Sequence, residues 1–200
     1  MLAGSEAESG NLLTNGIFTD DDAADGVAEG WSLEGAGVAV ASIVAPVGDE
    51  VGNWQRIVWT SGVQYLIQTV EAAGKMVAGD RLSYAIRYRS GGQEAGGAGP
   101  AVHFTVTGGS GHTFTDATVH GQASDVDDAI ICLEITLGTM PTSVGIDVTF
   151  QAAGAGWFEV AHATLLNLTA LEIAGRESMR AAAPADAEPK DATPPRALAR

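Results

Sequence analysis

Glu134 and Glu159 are the two acids that fall well inside predicted strands. A glycosidase needs a pair of such carboxyl groups converging on one bond. Nothing in the spacing of this pair brings them together. The four histidines, His103, His112, His120 and His162, lack the HExxH pattern or any other tight ligand spacing, so no zinc centre is predicted. Ser110 stands in GGSGH, without the glycine two positions later that a nucleophile elbow needs. Cys132 is the single cysteine, so no intrachain disulfide forms, and its place in the apolar run 130–137 predicts a buried, inert thiol. The acidic loop 20–30 carries Asp20, Asp21, Asp22 and Asp25. Hard carboxylate oxygens suit calcium, but Gly26 is displaced by one from the EF-hand position and Trp31 stands where the bidentate Glu belongs. Two readings stay open: a calcium site built on Asp20, Asp22 and Asp25, or a solvated acidic loop. No enzyme is expected, and no cofactor beyond that calcium.

The elements that must position these groups read as strands. The stretch 64–92, QYLIQTVEAAGKMVAGDRLSYAIRYRSGG, reads as strand, loop, strand, a central hairpin. Leu82, Tyr84, Ile86 and Tyr88 alternate with Ser83, Ala85, Arg87 and Arg89, so the large apolar groups share one face. Gly74 and Gly79-Asp80 mark the turn. Similar runs occur at 12–13 with 17–18, 31–33, 37–47, 54–59, 101–107, 113–119, 130–137, 144–150 and 157–168. Each is bounded by Gly, Pro, Asn or Asp. Some nine or ten short strands at such spacing predict an all-β, antiparallel β-sandwich of jelly-roll type. The predicted organisation is a small, polar N-terminal arm over 1–10, one sandwich over 11–169, and a tail over 170–200. In that tail 170–183 has helical character, and the Ala/Pro-rich remainder cannot bury enough apolar surface to fold alone. Asn167-Leu168-Thr169 fits the glycosylation pattern and is set aside for want of a secretion signal.

The net charge of −15 is unevenly placed. Residues 1–170 carry 20 acidic and 5 basic side chains, whereas 171–200 carry 5 of each. Such a body repels nucleic acid and anionic membrane, because phosphate binding needs Lys or Arg to neutralise it. MLAGSEAESG has no basic segment and no apolar core, so no signal peptide is expected. No run of 18 apolar residues exists to span a bilayer.

Two ends of the sandwich carry a resemblance. NLLTNGIF with the later Gly30-Trp31, the Gln-containing strand 65–70 with its alternating successor, and the closing WFEVAHATL are similar to the galactose-binding-like jelly-roll modules. That group includes many non-catalytic carbohydrate-binding modules. The resemblance covers about 11–168 and rests on short, mostly structural motifs. In those modules the opening Phe is commonly followed by Glu, and the last strand carries adjacent acids that help hold structural calcium. Here Thr19 follows Phe18, and Ala161-His162 stand in the last strand.

The resemblance implies saccharide recognition by aromatic faces, with amides and charged groups for hydroxyls. The ligand-binding candidates are Trp54, Trp59, Gln68, Arg87 and Arg89. Trp54 and Trp59 are five positions apart and must face opposite sides of a regular strand. Trp54 is the better candidate for an exposed aromatic. Tyr84, Tyr88, Trp31 and Trp157 are expected in the core, and Arg87 and Arg89 on a polar face beside carboxylates. The expected role is a non-catalytic structural or adhesion subunit of a larger assembly, such as a phage virion. The alternative is a free-standing carbohydrate-binding module, extracellular or cytoplasmic. The expected partners are other protein subunits, through both termini, and a glycan.

Overall fold

The computed structural model describes residues 10–21, 23–35, 38–46, 52–92, 101–114, 118–120, 126–151 and 156–182. Among the described residues eleven strands precede one helix. They are β1 (Ser32–Gly35), β2 (Val38–Val44), β3 (Trp54–Ser61), β4 (Val63–Glu71), β5 (Arg81–Gly91), β6 (Ala101–Thr107), β7 (Thr113–Phe114), β8 (Thr118–His120), β9 (Val126–Thr136), β10 (Ser143–Gln151) and β11 (Gly156–Asn167). Helix α1 spans Leu168–Ala182. A five-stranded sheet has the order β1-β4-β10-β6-β8, and a six-stranded sheet the order β2-β3-β11-β5-β9-β7. All neighbouring strands in both sheets run antiparallel. This is the antiparallel jelly-roll sandwich that the alternation predicts.

The period of two decides which groups meet between the sheets. Leu66 and Val70 of β4, Val144, Ile146 and Val148 of β10, and Val102 and Phe104 of β6 are buried from one side. Leu82, Tyr84, Ile86 and Tyr88 of β5, with Phe158 and Val160 of β11, come from the other. Tyr84 meets Phe104 edge-on at 6.2 Å, and Tyr88 stacks on Phe158 at 5.6 Å. Tyr84, Tyr88 and Trp31 are thus core residues, as their positions predict.

The stretch 64–92 is not a hairpin. Strands β4 and β5 alternate with the same period, but each pairs within a different sheet. The loop between them carries the chain across the end of the sandwich. Its Asp80 accepts from the Val77 N–H (2.8 Å) and from Asn167 Nδ2 (2.6 Å). Asn167 also caps α1, its Oδ1 accepting from the Ala170 N–H at 3.0 Å. The amide nitrogen that a glycan would occupy is buried and committed, so the folded protein excludes glycosylation there. A cleft of about 350 Å³ opens beside this knot, lined chiefly by Met76, Val77, Met140 and Ile173.

The opening segment is not a strand either. Asn11 makes a single bridge to Leu166, and side-chain amides hold the rest of the segment. Asn11 Oδ1 accepts from the Leu165 N–H (2.8 Å) and its Nδ2 donates to the Ala163 carbonyl (3.1 Å). The backbone of Gly16 lies so close to Ala163 that a Cβ would stand 2.2 Å from its oxygen. The NLLTNGIF and WFEVAHATL segments therefore touch. They do so at a bulge in β11, where the register shifts between Ala161 and Thr164 and His162 takes a φ of 51°.

Cys132 is exposed, which corrects the expected buried thiol. It is out of phase with Ile131 and Leu133, so it points away from the core. A maleimide should label the folded protein at one equivalent; labelling only after denaturation would contradict this placement.

Candidate functional site

The outward face of the six-stranded sheet gathers most of the chain's non-acidic chemistry. Of the five cations in residues 1–170, four lie on it: Arg56 of β3 and Arg81, Arg87 and Arg89 of β5. Their phase is opposite to that of the core residues Ile57 and Trp59 on β3 and Leu82, Tyr84, Ile86 and Tyr88 on β5, so burial of the core forces them outward.

Register arranges this face in rows. The first aligns Val40, Val58, Trp157 and Gly91 on β2, β3, β11 and β5. The second aligns Ser42, Arg56, Glu159 and Arg89. The third holds Val44 and Trp54 at one side, then Ala161, Arg87 and Ile130.

Trp157 is half-buried on this face rather than in the core. Its indole leans over Gly91, where a Cβ would come within 2.6 Å of the ring. The Arg56 guanidinium lies 5.0 Å from the centre of the same ring and donates to Glu159 at 3.0 Å. An aromatic plane is thus backed by a glycine and overlaid by the arginine of a charged pair, with Val58 beside it on the neighbouring strand. Gly91→Ala should displace the indole and destabilise the fold by about 1–3 kcal/mol, the usual result of overpacking. Thermal melting with tryptophan emission would read both changes.

Trp54 is 2% exposed, which corrects its reading as an exposed platform. It faces outward as the spacing requires, but two arginines cover it. The Arg89 guanidinium carbon lies 3.6 Å from the ring centre and that of Arg87 lies 5.0 Å away. Arg87 is fixed by both carboxylate oxygens of Asp128, at 2.7 and 2.9 Å. Trp59 takes the opposite face and belongs to the core. Gln68 is also buried, and holds the opening segment. Its Oε1 accepts from the Thr14 N–H (2.8 Å), and its Nε2 donates to the Thr14 and Gly30 carbonyls (both 2.9 Å). Of the five sugar candidates the structure therefore brings Trp54, Arg87 and Arg89 together, and assigns Trp59 and Gln68 to the interior. Sequence reasoning misses Trp157, Arg56 and Glu159 as members of this surface. Trp157 has the parity opposite to Phe158 and Val160 within its strand, and that signal is readable.

Glu134 and Glu159 share the outward face but do not meet. Glu134 pairs with Arg81 at 3.2 Å, and its partner Ser83 stands six residues along β5 from Arg89, the partner of Glu159. In the acidic loop, Asp21 accepts from the Asp25 and Gly26 N–H groups, and Asp25 from the Val27 N–H. Asp20 is exposed, and Asp22 lies outside the described residues. Among the described residues no group of three or more His, Cys, Asp or Glu gathers as a metal site. His112 bridges two loops, bonding the Gly108 carbonyl and the Gly138 N–H. Among the described residues no helix is long and apolar enough to cross a membrane.

No protein family and no curated protein matches the sequence. Solved structures match the fold. The enzymatically active domain of tailspike protein 4 from bacteriophage CBA120 superposes with a TM-score of 0.55 at 10% identity, over 78% of this chain and 21% of that one. This chain thus spans about a fifth of the tailspike chain. TmCBM61, solved with beta-1,4-galactotriose, gives 0.52 at 18% identity, covering 78% and 98%. A family 16 carbohydrate-binding module gives 0.50 at 12% identity, covering 78% and 99%. At such identities the likeness carries the fold alone. That fold is the jelly roll of carbohydrate-binding modules.

Proposed function

We propose that this chain is a non-catalytic saccharide-binding module that reads its ligand on the outward face of the six-stranded sheet. The observation that carries this is Trp157. A large indole stands half-buried on a sheet face, with part of its apolar area open to solvent. It leans over Gly91, beside an arginine held by Glu159. Sugars offer what this surface lacks: apolar C–H faces for the ring, and hydroxyls for the guanidinium and carboxylate edges. The charged groups are already paired across strands, so little ordering is left for a ligand to impose.

The tailspike likeness supports a setting for this module, as an adhesion or decoration subunit of a phage particle. Segments 1–10 and 184–200 are proposed to dock on neighbouring subunits there; all of them but Gly10 lie outside the described residues. Calcium at Asp20, Asp22 and Asp25 is a separate proposal, independent of the sugar face.

A glycan array probed with the whole chain tests the reading. Binding to one family of glycans, competed by the same soluble oligosaccharide, is the expected result. A blank array, together with a defined complex formed with a particle protein, would replace this reading with a purely structural one.

A further inference from the structure

We infer that Glu159 sets the charge class of the ligand: it makes an arginine-rich face read uncharged saccharides and turn away those that carry carboxylate or sulfate groups. This rests on the saccharide reading above and narrows it.

Four arginines on one sheet face would ordinarily mark a site for an anionic glycan, because a guanidinium takes a carboxylate or sulfate in a planar fork. Here the chain's own carboxylates already fill that role. Arg56 donates to Glu159 at 3.0 Å, Arg87 to both oxygens of Asp128, and Arg81 to Glu134 at 3.2 Å. Arg89 faces Glu159 in register from the other side. The face is therefore close to neutral, within residues 1–170 that carry 20 acids against 5 bases. An anionic sugar finds cations already matched, and meets the net negative field of the body.

The pair that bears on the indole is Arg56 with Glu159. Glu159 stands two residues from Trp157 on β11, on the same face and roughly 7 Å along the strand. The Arg56 guanidinium bridges the two, 5.0 Å from the ring centre and bonded to the carboxylate. Glu159 is only 5% exposed. A carboxylate so nearly buried holds its cation firmly, because losing it would leave a buried charge unpaired. A guanidinium has five N–H donors, and Glu159 engages it through one nitrogen. A sugar hydroxyl can accept from the remaining donors without disturbing the pair. A sugar carboxylate there would face Glu159 across a single guanidinium, two like charges on one cation.

The test is an array of paired glycans that share a backbone and differ in charge: galacturonan oligomers as methyl esters and as free acids, and lactosamines with and without sialic acid or sulfate. It is probed with the wild-type chain, Glu159→Gln and Asp128→Asn at about 50 and 500 mM salt. Glu159→Gln keeps an acceptor for Arg56 and removes the charge. Asp128→Asn removes a charge from the same face, away from Trp157. The wild type should bind uncharged members, with little response to salt, and their acidic partners about five-fold more weakly or worse. Glu159→Gln should recover about five-fold for the acidic members at the lower salt and lose that gain at the higher. Asp128→Asn should recover less. Wild-type preference for the acidic members, weakening as salt rises, overturns the inference and leaves the saccharide reading standing; this comparison needs no variant to fold. A folded Glu159→Gln that gains no more than Asp128→Asn overturns the role of Glu159. A blank array for all three chains overturns the parent reading and this one with it.

Discussion

Replacing Gln55 by leucine should destabilise the protein by about 2–5 kcal/mol, although the two side chains have similar volume. Gln55 is fully buried. Its Oε1 accepts from the Ala28 N–H at 2.7 Å. Its Nε2 donates to the Gly26 carbonyl at 2.7 Å and the Ser42 carbonyl at 3.2 Å. Leucine strands the buried Ala28 N–H and removes the donor from the half-buried Gly26 and Ser42 carbonyls, and a buried backbone group costs about 1–3 kcal/mol when left without a partner. Against a total stability of about 5–15 kcal/mol this is a large fraction. A chain of this size loses roughly 2–4 °C of melting temperature per kcal/mol, so the transition should fall by roughly 4–20 °C. Gln55→Glu should be no better, because a carboxylate would face the Gly26 and Ser42 carbonyls. Melting of Gln55→Leu within about 2 °C of wild type, a loss of at most about 1 kcal/mol, would mean that the loop 23–31 is held by something other than this amide.

Trp157→Ala should remove saccharide binding while leaving the sandwich folded. The ring is half-buried, and its loss opens a groove on the surface rather than a cavity in the core. Truncating a central aromatic anchor costs about 2 kcal/mol or more in binding, a loss of roughly thirty-fold. For a module of modest affinity that places the complex beyond detection. Trp59→Ala would also abolish binding, but by collapsing the core, so melting separates the two. Arg56→Ala should cost less than Trp157→Ala, because it removes the cover of the indole and leaves the plane.

The alternation of apolar and polar residues makes the sandwich legible. Tyr84, Tyr88, Ile131 and Leu133 lie where their phases put them. Strand partnership is not legible, because alternation in β4 and β5 is identical whether two strands pair or face each other across a core. The false hairpin is the consequence. The opening segment looks like a strand because its backbone ladder is replaced by the side-chain amides of Asn11 and Gln68, and an amide on a strand reads as a polar contact for a ligand. The Arg-rich face is visible in Arg87 and Arg89. Its indole is hidden when an aromatic at a strand start is assigned to the core without using the parity of Trp157 against Phe158. Cys132 is lost in the same way, judged by its apolar neighbours instead of its phase.

The most direct measurement is a map of backbone amide chemical shifts during titration with an oligosaccharide selected on the array. The largest changes should fall on β3, β11 and β5, around Val58, Arg56, Trp157, Glu159 and Gly91. Changes centred instead on Thr69, Thr105 and Gly145, on the outward face of the five-stranded sheet, would contradict a binding surface built on Trp157.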